Sequence, residues 1–234
     1  MTIQQSLEWL ANAGGDSKEI YNEVIAGNSY GITEDVCRER EFIDIGANVG
    51  MFSIFASKLG AKKVIAVEPV SSTVDALKNN LEKAHVHNVD VKQKIVSSKP
   101  NKIFKIGLQK KSGHSSVYCQ SESYEEVESI TLKDLLSETT TDNVFLKIDC
   151  EGGEYDIILN ADPSDMARIS TIAIEIHGDL HPTLKGVWHV HRALFELGYT
   201  PQKQNTVMAW DYDSNGRPFN MRVLPTTEEI WVRS

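Results

Sequence analysis

Residues 41–68 restrict the fold more than any other stretch. Phe42-Ile43-Asp44-Ile45 is a short apolar run broken by one acid, and Gly46-Ala47-Asn48-Val49-Gly50 follows it. A helical pattern then leads to a second apolar run, Val64-Ile65-Ala66-Val67, which closes on Glu68-Pro69. Strand, glycine-rich turn, helix, strand and acid, in that order, make up a mononucleotide-binding βαβ unit. The glycines permit a tight turn and close approach of the backbone to a ligand. An acid about 20 residues past the turn stands where a ribose diol can be held through both hydroxyls. A plain βα turn would show the same glycines; Glu68 in register tips the reading toward a ligand.

The spacing is D-x-G-x-x-x-G, running from Asp44 through Gly46 to Gly50, and not the G-x-G-x-x-G of dinucleotide sites. A pyrophosphate needs several close glycines and an open helix N-terminus. S-adenosylmethionine has no phosphate, so its pocket can keep Asn48 and Val49. Two alternatives stay open on the residues alone: an NAD-dependent oxidoreductase, and a protein that binds the cofactor without catalysis.

A chain of 234 residues is long enough for one generous α/β domain. We expect residues 1–40 to form an N-terminal helical extension and residues 41–234 the main domain. The net charge of −9 argues against a nucleic-acid partner. Cys37, Cys119 and Cys150 are odd in number and widely spaced, which suits reduced thiols more than a disulfide framework. The start lacks the basic and apolar regions of a signal peptide, and no apolar run has membrane-spanning length. The expectation is a cytoplasmic protein with no membrane partner; the pattern sets no oligomeric state.

Helical spacing puts Val49, Phe52, Ala56 and Leu59 on one inward face, and Val74, Leu77, Leu81 and Ala84 on another. Ser71-Ser72-Thr73 offers caps for the second of these helices. A third strand is expected at about residues 89–96, bringing Val96 near the cofactor. Residues 99–130 break the rhythm and read as an inserted hairpin or loop, with His114, Ser115 and Ser116 as candidate acceptor contacts. An apolar strand, Val144-Phe145-Leu146-Lys147-Ile148, ends in Asp149 at the carboxyl edge, where α/β sheets bind ligands. Glu151 follows, and Glu154 suits the start of a helix. In the next strand Glu175 and His177 are two apart and share a side, which is hard to excuse as packing. Trp188, His189, His191 and Trp210 are candidates to line a pocket for a ring. Asn215-Gly216 between residues 206–212 and 219–224 is a strong hairpin signal.

FIDIGANVG, VIAVEP, FLKIDCEGGE and IAIEIH together resemble the FkbM family of S-adenosylmethionine-dependent methyltransferases, over about residues 41–200. The resemblance implies a Rossmann-like class I methyltransferase fold: α/β, with a central, mostly parallel seven-stranded sheet, helices on both faces and an antiparallel C-terminal hairpin. It implies that Asp44, Gly46, Asn48 and Gly50 serve the methionine end of the cofactor and Glu68 its ribose. Ala47, Pro69, Val96 and Asp149 join them as expected cofactor contacts. It also implies that the serines after Gly113 and the Glu175-x-His177 pair lie near the active site. Cys150 stands where the family commonly has valine, and Gly153 where it has alanine. Members typically methylate hydroxyls of sugars and natural products, so the implied partner is a small-molecule or glycan acceptor.

For methyl transfer to an alcohol the expected base is His177, whose ordinary pKa near 6.5 leaves it mostly neutral at pH 7. Glu175 or Asp149 would orient it, and His114, Ser115, Ser116, Glu151 and His177 would contact the acceptor. No metal is expected. An alternative uses Asp149, Glu151, Glu175 and His177 as ligands for Mg²⁺ or Ca²⁺.

Overall fold

The computed structural model describes residues 2–13, 16–109, 116–118, 121–177, 187–204, 208–212, 218–223 and 226–233, with side chains described outside 203–228. The strands are β1 (Glu41–Ile45), β2 (Lys63–Val67), β3 (Val89–Lys92), β4 (Ile95–Val96), β5 (Ile103–Gly107) and β6 (Tyr124–Ile130). They continue with β7 (Val144–Ile148), β8 (Ile169–His177), β9 (Tyr199–Gln204), β10 (Met208–Tyr212), β11 (Pro218–Val223) and β12 (Thr226–Arg233). The α-helices are α1 (Ile3–Ser6), α2 (Ser17–Tyr21), α3 (Glu34–Cys37), α4 (Met51–Lys58) and α5 (Ser71–Lys83). After them come α6 (Leu132–Ser137), α7 (Glu154–Leu159), α8 (Pro163–Met166) and α9 (Trp188–Glu196).

Seven strands form one sheet in the order β3-β2-β1-β7-β8-β12-β9. The chain leaves β1 toward β2 and β3, then returns to build β7 and β8 on the other side. The order therefore reverses between β1 and β7, and a crevice opens there at the carboxyl ends of the strands. β12 runs antiparallel to both β8 and β9, while the other described pairings in this sheet are parallel. The fold is the expected mostly parallel α/β sheet with an antiparallel C-terminal hairpin. That hairpin, β10 with β11, is a ladder of its own. The insertion of β12 between β8 and β9 had no counterpart in the sequence reading.

Alternation along the strands feeds two cores. Phe42, Val64, Ala66, Phe145 and Ala173 face α4 and the N-terminal helices. Ile43, Ile65, Leu146, Ile172 and Ile174 face the side of α6, α7 and α9. Phe52, Ala56 and Leu59 at α4 and Val74, Leu77, Leu81 and Ala84 at α5 are buried as their spacing predicts, while Val49 is half-buried. The serines of residues 71–72 do not cap α5: its N-cap is Val70, without a side-chain bond, and the amide of Ser71 donates to Glu125 instead.

The expected third strand divides. β3 stays in the large sheet, whereas β4 pairs with β6 in a three-stranded sheet completed by β5. This small sheet is what the inserted stretch becomes, and it carries Val96 to the crevice rim. Leu7, Leu10, Val24, Ile25, Tyr30 and Ile32 of the N-terminal segment bury into the same cluster as Phe42 and Phe52. Among the described residues no helix is long and apolar enough to cross a membrane.

Candidate active site

Two clefts meet at the point where the strand order reverses. One, of about 720 Å³, is lined by Gly46, Asn48, Glu68, Pro69, Val96, Ser116, Asp149 and Glu151, with an apolar wall of Ile45, Val67, Ile95, Ile106 and Val117. The other, of about 810 Å³, lies beneath the N-terminal helices and reaches Tyr30, Ala47, Lys147, Asp149, Glu151 and Glu175. Gly46, with φ +76, lets the two strand ends close up: a Cβ there would stand 1.7 Å from the carbonyl oxygen of Asp149. Only glycine allows both that φ and that approach.

Glu68 is buried at the tip of β2. Its carboxylate accepts the amide hydrogens of Asn48 and Val70, each at 3.0 Å. Burial nevertheless pushes its pKa up to about 7, because the two amides and distant Lys147 offset only part of the lost hydration.

The opposite wall is built around Lys147, a residue of β7 that no sequence signal marks as part of the site. Its ammonium is almost fully buried, donates to the carbonyl of Gly46 at 2.8 Å, and lies 3.3 Å from Asp44 and 3.4 Å from Asp149. Burial disfavours the charge, yet Asp44 and Asp149 outweigh it and hold the pKa above the ordinary lysine value. Asp149 is correspondingly lowered: burial opposes the charge, and Lys147 and His177 overcome it. Tyr30, 119 residues away in the chain, donates its hydroxyl to Asp149 Oδ2 at 3.1 Å. No local signal pointed to Tyr30, since it comes from the N-terminal segment.

Asp44 and Gly50 line neither cleft. Asp44 is fully buried beneath the turn and accepts from the hydroxyl of Ser53 at 2.6 Å. Gly50 starts α4 with φ +85 and packs against Leu77. Both act on the crevice through backbone shape and Lys147.

His177 is buried, with Nδ1 3.0 Å from Glu154 Oε1. Glu154, not Glu175 or Asp149, therefore orients the ring. Glu154 is itself fixed by the amides of Cys150 and Gly152, at 3.0 Å each, so its part exceeds that of a helix-starting acid. Nε2 of His177 lies 3.7 Å from Glu151 and 3.8 Å from Glu175, so the shared face of Glu175 and His177 is as expected. Burial opposes the imidazolium, but the Glu154 hydrogen bond and the charges of Glu154, Asp149 and Glu151 push its pKa to about 10. At pH 7 the ring is charged, which corrects the expectation of a neutral base.

Glu151 turns out of line with φ +52, a left-handed conformation of the kind that collects at functional sites. Ser116 lines the first cleft and donates to the carbonyl of Glu151 at 2.7 Å. His114 and Ser115 lie outside the described residues. Gly153 and Cys150, the two departures from the family pattern, touch: a Cβ at 153 would meet the Cys150 sulfur at 2.9 Å. Trp188, His189 and His191 line neither cleft; His191 is 2.8 Å from Glu229, and the side chain of Trp210 lies outside the described residues.

The fold and crevice define a Rossmann-like α/β protein of the methyltransferase type. The model of the methyltransferase FkbM domain matches residues 44–201, and the chain belongs to that family. It is a methyltransferase. Among solved structures it is similar to a precorrin-6y C5,15-methyltransferase from Geobacter metallireducens, with 17% identity, 88% of this chain and 84% of that one covered, and a TM-score of 0.49. A ribosomal protein L11 methylase from Lactobacillus delbrueckii subsp. bulgaricus matches at 14% identity over 83% and 70% of the two chains, with a TM-score of 0.41. The assignment rests on the domain match and not on these distant likenesses.

Proposed function

We propose that this chain methylates a hydroxyl group of a sugar or another small molecule, with S-adenosylmethionine as donor. The observation that carries the reading is Glu68: a buried carboxylate at the tip of the second strand, facing a cleft whose far wall is apolar. Each of its oxygens accepts one amide and keeps a lone pair for a hydroxyl, which suits a ribose diol. Ile95, Val96, Ile106 and Pro69 offer a dry surface to a base ring, and Asp149 offers a carboxylate to an amino group. When bound, the donor supplies a methyl group on a positively charged sulfur.

The remaining work is positioning and proton removal. Glu151 and Glu175 reach the second cleft and can hold an acceptor hydroxyl. His177, charged at pH 7, does not take the proton; Glu175, half-buried on the same strand face, is the acceptor we assign. A positioned base contributes roughly 10²–10⁴-fold.

Calorimetry tests the donor: S-adenosylmethionine is expected to bind saturably and NAD not at all. Glu68→Ala should weaken that binding by roughly 1–3 kcal/mol, since ribose hydroxyls lose their acceptor. Unchanged affinity would contradict the assignment, and binding of NAD alone would replace it with an oxidoreductase.

A further inference from the structure

We propose that Asp149, Glu175 and His177 form a binding site for a divalent first-row metal ion at the mouth of the second cleft. Its use in catalysis rests on the methyl-transfer reading above; its existence does not. The three residues sit at the carboxyl ends of two neighbouring parallel strands, Asp149 just after β7 and the others on β8. One ligand atom from each lies within 4.8 Å of the other two. Ligands about 2.1 Å from a central ion in octahedral geometry stand about 3–4 Å apart, so small side-chain rotations close the cluster on an ion.

An independent observation points the same way. The side chain of His177 is only 9% exposed, yet its Nε2 makes no hydrogen bond among the described residues. Its closest carboxylates are 3.7 and 3.8 Å away, beyond hydrogen-bond reach. Nδ1 faces Glu154, and the two backbone amides on Glu154 keep that carboxylate from turning. A histidine whose far nitrogen is held by a buried carboxylate, with the near one aimed into an acid cluster, has the arrangement that orients metal-binding imidazoles.

Charge and donor type narrow the ligand. Asp149, Glu151, Glu154 and Glu175 surround Nε2 and its neighbours, and the nearby ammonium of Lys147 is already shared with Asp44 and the Gly46 carbonyl. Tyr30 and Lys147 both engage Oδ2 of Asp149, which leaves Oδ1 to the cleft. One imidazole with two carboxylates favours Mn²⁺ or Zn²⁺ over Ca²⁺. On binding, the Nε2 proton leaves to solvent and the lone pair goes to the ion. Open positions toward the cleft would take oxygens of the acceptor, holding a hydroxyl in place and easing loss of its proton to the second carboxylate oxygen of Glu175.

The test uses the full chain after EDTA treatment and dialysis, with Mn²⁺ titrated under electron paramagnetic resonance and S-adenosylmethionine titrated separately by calorimetry. One saturable Mn²⁺ site per chain is expected, and His177→Gln and Glu175→Gln should each weaken it at least about tenfold. Glu128→Gln, on β6 and in none of these contacts, should leave it unchanged. In the wild-type chain Mn²⁺ should selectively broaden the His177 Nε2 resonance, a readout that does not depend on a variant folding. No saturable binding, wild-type affinity in both His177→Gln and Glu175→Gln, or an unbroadened Nε2 overturns the site. Mn²⁺ bound without S-adenosylmethionine supports the site and overturns the donor reading; S-adenosylmethionine bound without Mn²⁺ does the reverse.

Discussion

Glu68 and Asp149 end the two strands that flank β1, one on each side of the crevice, and their surroundings drive them in opposite directions. Glu68 has only backbone amides at hand, and burial raises its pKa to about 7. Asp149 has Lys147 at 3.4 Å and a tyrosine hydroxyl, and its pKa falls below the ordinary aspartate value. Amide hydrogen bonds soften burial without cancelling it; a neighbouring cation reverses it. One wall is thus suited to neutral hydroxyls and the other to charge.

The largest way to break this contrast is to remove the cation. Lys147→Met leaves Asp44 fully buried without its ion-pair partner and should cost about 3–5 kcal/mol of stability in urea unfolding. A loss below about 1 kcal/mol would mean that Lys147 does not hold the acidic wall together.

Glu68→Gln sharpens the other side through pH. Because the folded pKa is raised, the native chain keeps a proton between pH 4.5 and about 7 that the unfolded chain has released. Stability therefore falls as pH rises through that window and is flat above it. Relative to Glu68→Gln, the wild type should lose about 3 kcal/mol between pH 4.5 and 8. Parallel urea midpoints at the two pH values would show that Glu68 titrates normally.

Tyr30→Phe has the smallest expected effect. It removes one hydrogen bond to a charged carboxylate, about 1.5–3 kcal/mol, and frees Asp149 from the N-terminal segment. Amide exchange should quicken in residues 16–37 more than in β1; uniform change would show that the contact does not anchor the segment.

Much of the crevice was legible because its signals are local. Gly46, Asn48, Glu68 and Pro69 lie within one βαβ unit, just past the tips of its two strands. The periodic faces of α4 and α5 were equally plain. Sequence pattern does not mark Glu154 as the acid that orients His177, because a helix-starting role is a sufficient local explanation for it. The strand at 89–96 was read as one element because periodicity does not reveal where a chain changes sheets.

By itself the sequence determined the βαβ unit, the acid at its tip and the family, since backbone turns and period-two burial are fixed by neighbours along the chain. Only the tertiary structure decided that Tyr30, Lys147 and Glu154 would meet Asp149 and His177, and that β12 would lie between β8 and β9. The contacts of Glu154 with His177 and of Tyr30 with Asp149 join residues 23 and 119 positions apart. Their pairing depends on which strands become neighbours, a choice set by how the whole sheet buries its two faces and not by any local pattern.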